Sequence, residues 1–236
     1  MKDLKQSKLI SILSLMVVLG CENNKSTDIN IVYLFDVTGS YHESSLDESA
    51  SIAQKIFTDL IGPNGIPFRP QTHQVSTIDE MSVNLGSNCI TKLDQVNIFD
   101  DNDDQDPSES FKECINSVLE KPAAQSTDIR GALLTASKSL QNDDLRGKGL
   151  IIFSDLHEYV NEKKDYPLDL KGVSIFVVFE WSTAHLKNPE LQEYDKNNFI
   201  KMLEIAGCDQ RDVKFMNLSS VSANPEVVSN WFRKQF

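Results

Sequence analysis

The chain has 236 residues and is acidic, with 23 Lys and Arg residues against 35 Asp and Glu residues and a formal net charge of −12. Phosphate backbones and anionic lipid surfaces repel a protein with this charge. No stretch combines a basic patch with interleaved aromatic residues, so the sequence argues against nucleic-acid binding.

The first residues have the pattern of an export signal. Lys2, Lys5 and Lys8 precede an apolar run at residues 9–19. This run is too short to span a hydrocarbon core of ~30 Å, and a basic start before it is typical of a signal peptide. Removal of residues 1–20 lowers Lys plus Arg from 23 to 20 and Asp plus Glu from 35 to 34, so the net charge becomes −14.

The apolar run ends in Val18-Leu19-Gly20-Cys21, followed by a polar segment. This tetrapeptide resembles the lipobox of bacterial lipoproteins, in which the cysteine is lipidated and becomes the mature N-terminus. The resemblance implies a lipid anchor on Cys21, a tether at residues 21–28, and a location on the exported side of a membrane in the bacterial cell envelope. The alternative is a buried N-terminal helix that contains a cysteine by chance.

From residue 29 onward, apolar runs alternate with amphipathic segments. The predicted strands are residues 29–35, 71–78, 95–99 (a short edge strand), 149–153, 173–179 and 213–218. The predicted helices are residues 46–61, 108–119, 128–140, 197–206 and 225–234. Runs that are apolar on both faces, alternating with helices, predict a single α/β domain at residues 29–236 with a doubly wound, mostly parallel central sheet.

Two of the predicted strands lead directly into aspartates, Asp36 and Asp155. In doubly wound sheets, ligands bind beyond the carboxyl ends of the strands, where the strand order reverses. A functional site is therefore expected where these two carboxylates emerge.

Three short motifs near this edge occur in a familiar order. Asp36-Val37-Thr38-Gly39-Ser40 has the pattern D-x-T-x-S, Ser126-Thr127-Asp128 opens a predicted helix, and Phe153-Ser154-Asp155 closes a predicted strand. Together they resemble the three elements of the metal-ion-dependent adhesion site in von Willebrand factor A (vWA) domains. The resemblance covers roughly residues 29 to 236.

The resemblance implies a site for Mg²⁺ or Mn²⁺. Neutral hydroxyl oxygens come from Thr38, Ser40 and Thr127, while Asp36 and Asp155 supply charge, often through bound water. Hard cations of this kind prefer six oxygen ligands. With few direct anionic ligands the cation stays electrophilic, so an acidic residue of a partner protein is expected to complete its shell. The residues offer no obvious nucleophile or general base, so recognition is expected and catalysis is not.

The sequence departs from the family pattern in places. Thr38 replaces the commoner serine, and Leu156 follows Asp155 where the family usually has glycine. Glu158 is close enough in sequence to approach the metal or to reshape the rim. Thr127 has a second interpretation as a simple helix N-cap.

Three further features are ambiguous or weak. The acidic run at residues 100–106 lacks the central glycine and closing glutamate of an EF-hand loop, which favours a solvated loop. His157 either lines the site or lies on the surface. Trp181, at a strand end, is either a contact aromatic or part of the core.

Three cysteines follow Cys21, and the compartment decides their state. Export places them in an oxidising environment, so Cys89 and Cys114, which flank one loop-rich stretch, are predicted to form a disulfide that leaves Cys208 over. The sequence has no CxxC, and its four histidines lack the spacing of zinc ligands, so a structural zinc site is not expected.

Two other functions compete with metal-dependent recognition. Haloacid-dehalogenase phosphatases also have a strand-end motif, D-x-D-x-T, but here Thr38 stands at the second aspartate and no later paired-aspartate motif follows a strand. A lipoprotein scaffold with the same fold and no metal is the other alternative. The main hypothesis predicts that a divalent metal raises the thermal stability of the protein, whereas the scaffold alternative predicts no such effect.

Cys21→Ala is expected to move the protein from the membrane to the soluble exported fraction, or to block its processing, because the variant has no thiol to lipidate. Cell fractionation and mass spectrometry of the mature N-terminus measure both effects. An unmodified N-terminal residue in the wild-type protein would contradict the lipoprotein prediction.

Overall fold

The computed structural model describes residues 29–62, 70–80, 89–93, 106–141, 147–160 and 166–236. The predicted signal peptide and tether, the strand predicted at residues 95–99 and residues 100–105 of the acidic run lie outside these ranges.

A sheet of six strands forms the centre of the domain. The strands are β1 (Ile29–Asp36), β2 (Gln71–Ile78), β3 (Cys89–Leu93), β4 (Gly147–Ser154), β5 (Ser174–Phe179) and β6 (Val213–Asn217). Their spatial order is β3-β2-β1-β4-β5-β6, and every neighbouring pair is parallel except β2 with β3. The doubly wound, mostly parallel sheet predicted from the sequence is thereby confirmed, and it has the α/β architecture of vWA and Rossmann-like domains.

Helices cover both faces of this sheet. They are α1 (Gly39–Ile61), α2 (Pro107–Leu119), α3 (Ile129–Gln141), α4 (Thr183–Lys187), α5 (Pro189–Ile205), α6 (Leu218–Ala223) and α7 (Glu226–Gln235), with a 3₁₀ turn at Gln210–Asp212. Helices α1, α2, α6 and α7 contribute to one hydrophobic core, and α3 and α5 contribute to the other.

The central strand β1 is buried on both faces, as its continuous apolar run predicts. Ile31, Tyr33 and Phe35 point into the core beneath α1, and Val32 and Leu34 point into the core beneath α3. Each of these side chains is at most 1 % exposed. This double burial fixes the strand in the middle of the sheet, and with it the position of the residues that follow its end.

Helix α1 begins at Gly39, seven residues before the predicted start at residue 46. Its first turns consist mostly of polar residues and show no apolar stripe, so periodicity does not reveal them. A single aromatic, Tyr41, anchors this part of the helix: it is 1 % exposed, and its hydroxyl lies 2.7 Å from Ser49 Oγ.

Other boundaries differ where local capping decides the structure. Helix α5 begins at Pro189, eight residues before the predicted start, because Asn188 caps it by accepting a hydrogen bond from Leu191 N at 3.4 Å. Helices α4 and α6 have five and six residues, too few to show a helical period, and were not predicted. Strand β3 was likewise not predicted.

Cys89 and Cys114 form a disulfide, as predicted, and it ties the edge strand β3 to helix α2. Cys208 is free and half-buried. Burial, assisted by the negative charges of Asp212 and Asp169, raises the pKa of its thiol to about 12. The thiol therefore stays protonated at neutral pH, where it is a poor nucleophile.

Replacing Cys89 and Cys114 together by serine is expected to lower the free energy of unfolding by about 3 kcal/mol, because the bond restricts the unfolded chain over a sequence separation of 25 residues. Urea denaturation with and without reductant measures this. Cys208→Ser is the control: reductant should lower its free energy of unfolding as in the wild type. Reductant should leave the free energy of unfolding of the double variant unchanged. Two alkylatable thiols at these positions in the unreduced protein would contradict the prediction.

Candidate metal centre

The two aspartates predicted from the sequence emerge side by side because β1 and β4 are parallel neighbours, with Phe35 opposite Phe153. The next residue of β4, Ser154, donates a hydrogen bond from its Oγ to Asp36 Oδ2 at 2.7 Å. Asp36 is fully buried, and Asp155 is 2 % exposed. The two carboxylates are therefore buried at the carboxyl edge of the sheet.

The loop after β1 folds its own polar groups back onto Asp36. The Thr38 hydroxyl and backbone N–H both donate to Asp36 Oδ1, at 2.5 Å and 3.0 Å. Backbone hydrogen bonds to Ala124 hold this loop: Ala124 N donates to Val37 O at 2.8 Å, and Gly39 N donates to Ala124 O at 3.2 Å. The position of Thr38 is consequently fixed by backbone pairing with a distant segment.

Ser40 joins the second aspartate to the first turn of α1. Its Oγ donates to Asp155 Oδ2 at 3.1 Å, and the residue is exposed. Four of the five predicted metal ligands are thus connected as two hydroxyl–carboxylate pairs, Thr38 with Asp36 and Ser40 with Asp155. Ser40 is the solvent-exposed member of these four residues.

Thr127, the fifth predicted ligand, is buried at 4 % exposure on the segment before α3. Its backbone exchanges hydrogen bonds with Tyr159, four residues beyond Asp155, at 2.8 Å and 3.1 Å. Asp128 caps α3, since its Oδ1 accepts a hydrogen bond from Gly131 N at 2.8 Å. The interpretation of Thr127 as the helix cap is therefore wrong, and its hydroxyl is not needed for that purpose.

Leu156 follows Asp155 at the position where the sequence departs from the vWA pattern, which usually has glycine. Its φ is 65°, in the left-handed region that glycine adopts readily and a leucine adopts at a cost of about 1 kcal/mol or more. Two contacts offset this strain: Leu156 N donates to Ser154 Oγ at 2.9 Å, and its side chain is buried in the core. Leu156 therefore holds a backbone conformation that is otherwise favourable for glycine.

Glu158 does not approach the aspartates as the sequence allowed. Its carboxylate accepts hydrogen bonds from the backbone N and from Nε of Arg130, at 3.2 Å and 3.1 Å. Both side chains line a cavity of about 460 Å³ beside α5. Glu158 is therefore part of the wall of this neighbouring cavity.

Asp36 has a strongly raised pKa. Burial, with a smaller contribution from the charge of Asp155, raises the pKa of its carboxyl to about 7, against hydrogen bonds from Thr38 and Ser154 that lower it. Within the described ranges, neither aspartate forms an ion pair with Lys or Arg. Two adjacent buried carboxylates without a cationic side chain, surrounded by hydroxyl oxygens, are a donor set that fits a hard divalent cation.

Sequence reasoning missed one contributor to the site, Ser154, and left the roles of His157 and Trp181 open. Ser154 links the ends of the two strands, but its role depends on the register of β1 with β4, which the sequence does not show. His157 donates its backbone N–H to Asp155 Oδ1 at 3.0 Å, while its ring lies 2.7 Å from Asp195. Trp181 packs against Phe179 at the border of the core.

No family model matches the chain, and a search of curated proteins finds no significant match. Among solved structures, the chain is similar to the pilus adhesin SpaC from Lactobacillus rhamnosus GG in its open conformation, with a TM-score of 0.54 and 11% identity over 91% of this chain and 31% of SpaC. It is also similar to the conserved hypothetical protein BatB from Bacteroides thetaiotaomicron, with a TM-score of 0.50 and 10% identity over 88% of this chain and 98% of BatB.

At these identities the similarity establishes the fold alone. The chain spans less than a third of SpaC. Of the helices in the described ranges, none is both long and apolar enough to cross a membrane.

The raised pKa of Asp36 predicts a pH dependence for the metal-free protein. Between about pH 4 and pH 7 the folded state keeps a proton on Asp36 that the unfolded state has released, so folding stability falls as the pH rises. The loss from about pH 5 to about pH 8 should be on the order of 3 kcal/mol.

Urea denaturation in chelator, for the wild type and for Asp36→Asn, separates this effect from that of other groups. The variant lacks the titrating carboxyl and should lose less stability over the same interval. Parallel pH profiles for the two proteins would contradict the prediction.

Proposed function

We propose that this chain is a lipid-anchored bacterial envelope protein whose vWA-like domain binds Mg²⁺ or Mn²⁺ and, through that cation, a partner protein. The ligands are the five residues of the strand-end site: Asp36, Thr38, Ser40, Thr127 and Asp155. The proposed role is recognition, without catalysis.

The observation that carries this proposal is the direction of the two hydroxyl hydrogen bonds. The hydroxyls of Thr38 and Ser40 each donate a hydrogen bond to an aspartate, so the lone pairs of both hydroxyl oxygens remain available to a cation. Each aspartate accepts a hydrogen bond from one of these hydroxyls and adds its negative charge to the site. A bound cation would supply Lewis acidity toward a carboxylate of the partner protein.

The charge of the chain favours a metal-dependent contact with an acidic partner. With a net charge of −12 for the full chain and −14 without residues 1–20, the protein repels a carboxylate approaching its surface. A cation bound at the strand-end site would make the local electrostatic potential positive. The metal therefore provides both the attraction and the specificity for a carboxylate of the partner.

One structural neighbour and the N-terminal sequence support an envelope role. The neighbour, SpaC, is described as a pilus adhesin. The lipobox at Cys21 supports an anchor on the exported side of a membrane. We therefore place the domain at the cell envelope, where it engages its partner.

Addition of Mg²⁺ or Mn²⁺ to the detergent-solubilised full chain should raise its unfolding temperature. A cation at about 100 times its Kd stabilises by about 2.7 kcal/mol, which corresponds to a rise of about 5–10 °C for a domain of this size. Asp36→Ala should abolish the rise, and Asp47→Ala, which removes an exposed carboxylate of α1, should keep it. Calorimetry without heat of binding at millimolar cation would contradict the proposal.

Partner binding should depend on the metal and on a carboxylate. Affinity capture from envelope extracts, followed by mass spectrometry, should recover the same partner with wild type and Asp47→Ala in Mg²⁺, and lose it in chelator or with Asp36→Ala. Blocking the partner's carboxyl groups as amides should also abolish binding. Capture that survives both chelator and Asp36→Ala would contradict the mechanism, and hydrolysis of a generic phosphomonoester would favour the phosphatase alternative.

A further inference from the structure

A second cluster of polar side chains lies next to the strand-end site and is not part of it. His157 is two residues beyond Asp155, His185 lies on α4, and Asp195 lies on α5. One ligand atom from each of the three residues lies within 4.8 Å of those from the other two. The cluster draws on three separate segments, which explains why the spacing of histidines along the sequence did not indicate a metal site.

Both imidazole rings converge on a single carboxylate oxygen. Asp195 Oδ2 lies 2.7 Å from His157 Nδ1 and 3.0 Å from His185 Nε2. The two rings are nearly perpendicular, with an interplanar angle of 82° and centroids 5.6 Å apart. The two nitrogens therefore reach Asp195 Oδ2 from different directions, and the three ligand atoms are close enough together to contact one ion.

We propose that His157, His185 and Asp195 bind a transition-metal cation of the zinc type. Zinc takes imidazole nitrogens and carboxylate oxygens at about 2.0–2.2 Å, which places tetrahedral ligand atoms about 3.3 Å apart. The two nitrogen–oxygen distances are shorter than this by a few tenths of an ångström, so the side chains need only a small outward movement. Three protein ligands leave a fourth position for water.

The surroundings of His185 fix its ring in a ligating orientation. Its other nitrogen, Nδ1, lies 2.7 Å from Ser182 Oγ, and Trp181 packs against the ring at a centroid distance of 4.9 Å. With Nε2 bound to a cation, the ring proton resides on Nδ1 and is donated to the Ser182 hydroxyl. Such an outer hydrogen bond is the usual support of a metal-binding histidine.

Burial makes the cluster rigid while leaving an entry route. The side chains of His185 and Asp195 are 1 % and 8 % exposed, and that of His157 is 41 % exposed. Asp195 also lines the cavity of about 460 Å³ beside α5. The cavity therefore leads to Asp195, and His157 is the solvent-exposed member of the cluster.

The donor set separates this cluster from the strand-end site. Two imidazole nitrogens favour zinc and similar metals, whereas Mg²⁺ requires a shell dominated by oxygen. The two centres should therefore select different cations, although one short segment, residues 155–157, contributes to both. Failure of the strand-end proposal would leave the zinc proposal standing, and the reverse also holds.

The test is a calorimetric Zn²⁺ titration of the tag-free full chain in saturating Mg²⁺, which keeps the oxygen-rich site occupied. One Zn²⁺ per chain should bind, and Co²⁺ should give the visible absorption of a four-coordinate ion. His157→Ala, at the exposed ligand, and Asp195→Asn should each weaken Zn²⁺ binding by more than the roughly tenfold loss expected for Ser182→Ala. Asp47→Ala, which removes an exposed carboxylate outside both centres, is the matched control and should bind Zn²⁺ as the wild type does.

Circular dichroism and urea denaturation establish that each variant is folded before titration. Equal Zn²⁺ affinity in wild type, His157→Ala and Asp195→Asn would overturn the proposal, as would the absence of Zn²⁺ binding in the wild type. Either result would make the cluster a hydrogen-bonded His–Asp–His network without metal. Loss of Zn²⁺ binding in Asp36→Ala alone would place the ion at the strand-end site and would also contradict the proposal.

Discussion

The parallel pairing of β1 with β4 brings two carboxylates, Asp36 and Asp155, out of the sheet at the same buried edge. Like charges in a region of low dielectric repel strongly, and burial adds a desolvation cost. Around this constraint the chain places hydroxyl donors at Thr38, Ser40 and Ser154. The early start of α1 and the loop held by backbone pairing bring Ser40 and Thr38 to the carboxylates, and the register of β4 with β1 brings Ser154.

The sheet and the two aspartates were predictable because their cause is local. A run that is apolar on both faces, as at β1, belongs to a buried parallel strand, and a polar residue at its end marks the carboxyl edge. The start of α1 was not predictable, because one buried aromatic, Tyr41, replaces an apolar stripe. The positive φ of Leu156 was hidden for a similar reason: burial and a hydrogen bond hold a turn that sequence pattern assigns to glycine.

The cluster at His157, His185 and Asp195 marks the limit of reasoning from spacing. Its members are separated by 10 and 38 residues, and they meet only because α4 and α5 fold back over the end of β4. His157 also donates its backbone N–H to Asp155, so this one residue contacts both centres.

The central claim is that the strand-end carboxylates and hydroxyls form a cation site. The most direct test is to soak crystals of the protein in Mn²⁺ and to locate the ion by its anomalous scattering. The account predicts one strong peak within bonding distance of the hydroxyl oxygens of Thr38 and Ser40, with Asp36 and Asp155 around it. Diffraction data of good quality without a peak at this position, at millimolar Mn²⁺ and neutral pH, would contradict it.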